Sequence, residues 1–409
     1  MKHRFKAISI GAGALALCIF LSSCAPESGT GGIGNLSGYR SFAYFNTQAL
    51  WAFMPEGDTA SEQDKALWED LKAVFSLVEN SISTEVKDSS IARFNEAEAG
   101  EEVEIDSTAY AILQSAKAVY EQTEGAYNPA VGRLVDLWGF TPRFTDTDAA
   151  GDSQPYDREK YWEDLPDEEY VQAFLSISDF SAVELREEDG KFYAKKPETA
   201  QVTVDGVTYS MQLNLGGIGK GYAVDRADAL ARANGQKYGY INLGGSSMSV
   251  MQDPTVSADE NEVRPWNVTI VNPRKSQYPS DYYASVSVHD VFLSSSGDNE
   301  QYYLLGGRRY CHIVNPSTGY PVNAEPEGDG SGIVAASVFG LTAAEGDATT
   351  TALLVMGKDR AIEYIGDYLE GKDVIFVYYD AKTDSCSIYT NMEEGKYTIL
   401  AEGMSVVTF

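Results

Sequence analysis

The stretch MQLNLGGIGKGYAVDRADALARANGQKYGYINLGG, residues 211–245, decides the fold class. MQLNL predicts a short strand, GGIGKG (216–221) a glycine turn, GYAVDRADALARAN a helix that stops at Gly235, and KYGYINL a second strand running into Gly244 and Gly245. Strand, glycine turn, helix and strand in that order cradle ligands. The turn is not a Walker motif, because Gly221 follows Lys220 where a Ser or Thr would hold magnesium and Asn214 replaces the first glycine. It does not fit GxGxxG either. What remains is a turn whose glycines admit backbone N–H groups to an anion, with Lys220 as a point charge at the helix start. The plainer alternative is tight strand-to-helix packing with a solvent-facing lysine.

Outward from this stretch, strands and helices mix. SFAYFNTQALWAF (41–53) reads as one apolar, aromatic strand, and Ser61 with Asp64 three residues on is a capping-box start for a helix carrying Leu67, Leu71, Val74, Phe75 and Val78. A second helix starts near Asp106 and Ser107, buries Ile112, Leu113, Ala116 and Val119, and ends by Gly125. Short strands dominate from Trp266 onward, broken by helices over Ala343–Met356 and Asp359–Glu370, and IFVYYD with SCSIYTN forms a terminal hairpin. The expected fold class is α+β, mixed sheets with flanking helices. Arg143–Glu169, with ten acids, reads as a solvated surface excursion.

The amino terminus sets the compartment. Lys2, Arg4 and Lys6 precede an apolar run, Ala7–Phe20, that ends in Leu21, Ser22, Ser23 and Cys24: a signal peptide with a lipobox. The run is short and rich in Gly and Ala for a membrane span. Residues 1–23 are therefore read as a leader, Cys24 as a lipidated first residue, 24–38 as anchor and flexible linker, and 39–409 as the catalytic domain. The expected location is the extracytoplasmic face of the cell membrane.

The chain holds 31 basic and 61 acidic residues, and loss of the three leader cations takes the net charge from −30 to −33. Such a charge repels nucleic acid and anionic lipid, and an anionic cofactor would need local help from a cation or backbone N–H groups. Cys311 and Cys386 remain after the leader and anchor; nothing in the sequence places them together, and free thiols are the favoured reading. With His289 and His312 the only histidines beyond the leader, a zinc site is not expected.

Two further clusters carry chemical potential. EGDATTTALLVMG puts Asp347 and Thr351 four apart on a predicted helix with Thr350 beside them, so a carboxylate and a hydroxyl can share one hard cation such as magnesium. The competing reading is a carboxylate that complements the helix dipole. RRYCHIVNPSTGYPV sets His312 before a rigid turn, suited either to proton abstraction or to core packing. SSSGDNEQYY offers Ser296, Gly297 and Asp298 as a polar turn.

In order along the chain, DSSIARFN (88–95), GAYNPAVGRLVDLWGF (125–140), LNLGGIGKGYAVD (213–225), INLGG (241–245), SSGDNEQYY, YCHIVNPSTGYPV and GDATTTALLVMG closely resemble the FAD:protein FMN transferase family, the ApbE-type flavin transferases. The resemblance implies magnesium-dependent transfer of FMN from FAD to a Ser or Thr hydroxyl of an acceptor protein, with AMP released. It implies FAD contacts at Lys220 and Asn214, and magnesium ligands at Asp347, Thr351 and Thr350 with a backbone carbonyl at Gly217. His312 would lie by the diphosphate as general base, and Lys220 would stabilise developing charge. Phe45, Ala126, Tyr127 and Asn128 would line the flavin or adenine pocket. The sequence departs from the family's pattern at Asn128, Asn214 and Asn315, where aspartate is common, and at Glu85, where many members place an aromatic residue over the cofactor. The acceptor implied is a membrane-associated redox protein with a flavinylation motif. Two alternatives stand beside this reading: a hydrolase that splits FAD to FMN and AMP, and a non-catalytic FAD-binding lipoprotein.

Overall fold

A computed structural model describes residues 21–22, 37–54, 61–140, 165–252 and 265–409. Cys24, the linker up to residue 36 and most of the acidic excursion lie outside the described residues.

Nine strands form the central sheet. Their order is Ser37–Tyr44, Thr47–Phe53, Gly239–Leu243, Ser247–Val250, Val291–Gly297, Gly332–Phe339, Asp373–Asp380, Ser385–Thr390 and Ser405–Thr408. Every neighbouring pair runs antiparallel except the last, which is parallel. Period-two alternation sorts the two faces. On Ser247–Val250, Met248 and Val250 join a core that also contains Trp266, Val268, Tyr283 and Val286 of a second, four-stranded sheet. Ser249 points the other way and donates to Asp228 on a helix at 2.5 Å. Ile241, Leu243, Trp51 and Phe53 face the helical side. The result is three layers, sheet on sheet on helices, and it matches the α+β expectation.

Two helices dominate the third layer: the glycine helix, Gly216–Ala233, and the long helix, Ala343–Tyr368. Their apolar faces pack together and against the sheet. Gly357, at φ 71° and ψ 175°, breaks the long helix where the sequence predicts a gap between two helices. The capping box at Ser61 and Asp64 and the helix Ser107–Gln122 form as predicted.

Two predicted strands differ. SFAYFNTQALWAF is not one strand but the end of the first arm, the turn and the second arm of a hairpin, because Phe45 and Asn46 adopt left-handed backbone (φ 52° and 54°) between Tyr44 and Thr47. MQLNL is not a strand: its backbone groups are taken by Lys196, Asn95, Ala200 and Pro129 rather than by a sheet neighbour. Cys311 and Cys386 are buried free thiols. Among the described residues, no helix is long and apolar enough to cross a membrane.

Candidate active site

The glycine motif is helical from its first residue. Asn95 grips Leu213 at both backbone groups, accepting from its N–H at 2.7 Å and donating to its carbonyl at 2.9 Å. Asn214 Oδ1 then accepts from Gly216 N at 2.9 Å, and the helix starts there. The predicted glycine turn is thus the helix's first turn, and its glycines are there for contact. A Cβ on Gly219 would lie 2.2 Å from Ile82 Cδ1, and one on Gly221 2.0 Å from the Ala343 carbonyl oxygen. Gly221 admits hydrogen only, since backbone blocks it, whereas a side chain at Gly219 would have to displace the Ile82 methyl.

That close approach brings the long helix against the motif. Asp347 is 2% exposed, and its Oδ2 accepts from Gly221 N at 3.2 Å. Lys220 Nζ stands 4.0 Å from Asp347 Oδ1 and donates to the Gly216 carbonyl at 2.9 Å. Burial raises the Asp347 pKa, while Lys220 and the Gly221 amide pull it down. Thr351 Oγ1 lies 3.3 Å from where a Gly217 Cβ would sit. Asp347 and Thr351 therefore both approach Gly217–Gly221. Thr350 faces the sheet side instead, with its hydroxyl on Ser296 Oγ (2.8 Å) and on the Gly346 and Asp347 carbonyls.

Other predicted residues sort into the cleft and its supports. Tyr127 is buried against Gly217, with Cε2 at 3.4 Å from the Cβ position, and its hydroxyl has no partner. Phe45 presents Cε1 at 3.5 Å from the Gly219 Cβ position, and its N–H donates to Glu79 at 2.6 Å. His312 Nδ1 is enclosed without a partner. Burial, helped by the Lys220 charge, lowers His312 to about 4, so the ring is neutral at pH 7. Asn128, Ala126 and Asn315 are supports. Asn128 Oδ1 caps Ala130 N and its Nδ2 donates to Ser178 O, Ala126 is buried in the core, and Asn315 bonds Ser317 and Glu325 rather than His312. Glu85 is exposed and accepts from Asn46 at 3.3 Å, beside the Phe45 turn.

Asp298 is a structural anchor, clamped by Arg274 (2.6 Å) and Arg309 (3.0 Å). Two residues on, Glu300 senses both Lys220 and Asp347, and burial pushes it up to about 7. Sequence reasoning passed over it, although it lies inside SSGDNEQYY. Gln301 O accepts from the His312 N–H at 3.0 Å and ties that loop to the histidine.

Among the described residues, no three His, Cys, Asp or Glu side chains cluster as a metal site. A cation here would rest on one carboxylate with hydroxyl and carbonyl oxygens, a hard donor set.

Residues 47–376 match the model of the ApbE family. The chain belongs to the ApbE family. It is 28% identical to a Treponema pallidum protein named FAD:protein FMN transferase, over 76% of this chain and 78% of the relative. A Haemophilus influenzae protein of the same name is 26% identical over 91% and 92%. The ApbE fold extends to solved structures: flavin transferase ApbE from Vibrio cholerae (TM-score 0.63, 22% identity, 87% of this chain and 97% of that one) and the ApbE protein of Thermotoga maritima (0.64, 23%, 86% and 96%).

Proposed function

We propose that the chain is a FAD:protein FMN transferase whose substrate diphosphate sits between the start of the glycine helix and the first turns of the long helix. One observation carries this reading. Asp347, Thr351 and Lys220 meet at Gly217–Gly221, and the two enclosed polar atoms nearest in role, Tyr127 Oη and His312 Nδ1, have no partner in the protein. Buried polar groups left without partners mark places where something else completes them.

Magnesium fits the donor set. Asp347 is enclosed and met only by one amide and a lysine 4.0 Å away, so its charge is incompletely balanced by the protein. Thr351 Oγ1 lies beside Gly217 and would supply a further oxygen, with a Gly217 carbonyl as the ligand the family resemblance implies. When bound, such a cation neutralises diphosphate charge that would repel a nucleophile.

The remaining work falls to side chains. Lys220, fixed by the Gly216 carbonyl, places its charge where negative charge builds on the phosphoryl oxygens. The acceptor's Ser or Thr oxygen forms a bond to the FMN-side phosphorus, and the bond from that phosphorus to the bridging oxygen breaks, so that AMP leaves. The hydroxyl proton would pass to the neutral imidazole of His312. The acceptor is read as a membrane-associated redox protein, reached through a lipid on Cys24 at the extracytoplasmic face.

Mass spectrometry of an acceptor fragment incubated with the protein, FAD and magnesium tests this directly. The expected result is an added FMN mass with wild type and none with a folded Asp347→Ala variant. Free FMN and AMP with no labelled fragment would establish the hydrolase instead, and FAD binding without AMP release the binder.

A further inference from the structure

The amino end of the long helix is held from outside itself. The first four N–H groups of a helix have no intrahelical acceptor. Here Thr342 and Glu345 satisfy two by a reciprocal capping box. The other two, Ala343 N and Ala344 N, donate to Asp225 Oδ1 at 2.7 Å and Oδ2 at 2.9 Å. Asp225 belongs to the glycine helix, one turn beyond Gly221. That residue lets the Ala343 carbonyl approach and donates to Asp347. Gly221 and Asp225 therefore hold the same turn of the long helix, and the two turns that follow carry Asp347 and Thr351.

We propose that Asp225 is a positioning residue for the transfer reaction: by holding the first two amides of the long helix, its carboxylate sets where Asp347 and Thr351 meet Gly217–Gly221. The inference rests on the function proposed above. A helix cap needs no carboxylate from another helix, since Thr342 already caps this one, and keeping Asp225 charged there has a cost. Burial raises its pKa to about 6 against the pull of the two amides, with Glu345 and Asp228 adding to the rise. The bidentate contact fixes both distance and rotation between the helices, which a single cap does not. Asparagine keeps the shape but turns an NH2 group toward one of the two amides, so the contact becomes one-sided.

The test uses the full chain and reads magnesium dependence two ways: binding of FAD, followed by flavin fluorescence anisotropy as magnesium is added, and FMN transfer to an acceptor fragment. In Asp225→Asn the magnesium midpoint is expected to rise about tenfold in both, comparable to losses seen when groups supporting a metal ligand are removed. The transfer rate at saturating magnesium should stay within about twofold of wild type. Thr342→Ala is the control. It weakens the same helix end, lowering Tm by about 2 °C, but leaves the contact with the glycine helix intact and should not move the midpoint. An unchanged midpoint in Asp225→Asn, or an equal shift in Thr342→Ala, overturns the proposal. Should Asp225→Asn fail to fold, Asp225→Glu, one methylene longer, is expected to give the shift, and a wild-type midpoint there overturns it. Wild type that binds FAD without regard to magnesium would instead remove the parent reading.

Discussion

The hydroxyl of Thr351 faces the α-carbon of Gly217 across the junction of the two site helices, close enough that a Cβ on Gly217 would lie 3.3 Å from Oγ1. The same Cβ would meet Tyr127 Cε2 at 3.4 Å. Gly217 has no positive φ, so alanine suits its backbone and gains roughly 0.5–1 kcal/mol of helix propensity. Its methyl group would nevertheless occupy the space in front of Thr351. Gly217→Ala is expected to melt within about 2 °C of wild type while FMN transfer falls at least roughly tenfold. Thermal melting and transfer rates on one preparation check this, and an active variant would show that nothing reacts in that gap.

The parts of this site that were legible in the sequence are those set by local spacing. Asp347 and Thr351 share a face because they are four apart on a helix, and the capping box at Ser61 lies within four residues. MQLNL was misread because the groups that claim its backbone come from elsewhere. Asn95, the partner of Leu213, is 118 residues away, and no periodicity within five residues reports it. The glycines of GGIGKG suggested a turn, yet three of the four, Gly217, Gly219 and Gly221, are matched to neighbours brought in by tertiary packing: Thr351, Ile82 and Ala343. Glu300 was missed for the same reason, since Lys220 and Asp347, which perturb it, are remote in sequence.

Two groups of the site couple to pH in opposite senses. Burial, aided by Lys220, holds His312 at about 4 against an ordinary 6.5. Between these values the unfolded chain binds more protons, so this contribution to stability is complete above 6.5 and is lost as pH falls toward 4. Burial pushes Glu300 from 4.5 to about 7. Between those values the folded chain binds more protons, so stability declines as pH rises through that window. Glu300→Gln removes the second effect only. Urea unfolding of metal-free protein should find the variant more stable than wild type at pH 8 by roughly 1 kcal/mol, allowing for the partial exposure of Glu300, with the difference gone by pH 4.5. A variant less stable at pH 8 would mean that the carboxylate has a partner that offsets its burial.

Tyr127 offers a test that separates folding from binding. Its hydroxyl is enclosed with no hydrogen-bond partner, and its pKa is raised well above normal by burial and then by the Asp347 charge. An unsatisfied buried hydroxyl weakens the fold, so replacing it with hydrogen should cost nothing or help by about 1 kcal/mol. The ring also abuts Gly217, which Thr351 approaches as well. If the hydroxyl is kept to meet FAD, Tyr127→Phe should melt at or above the wild-type temperature and bind FAD more weakly, by roughly five- to tenfold for one lost hydrogen bond. Calorimetric melting and flavin titration with magnesium present read the two effects separately. Lower stability with unchanged FAD affinity would place the hydroxyl's partner inside the protein and remove Tyr127 from the binding surface.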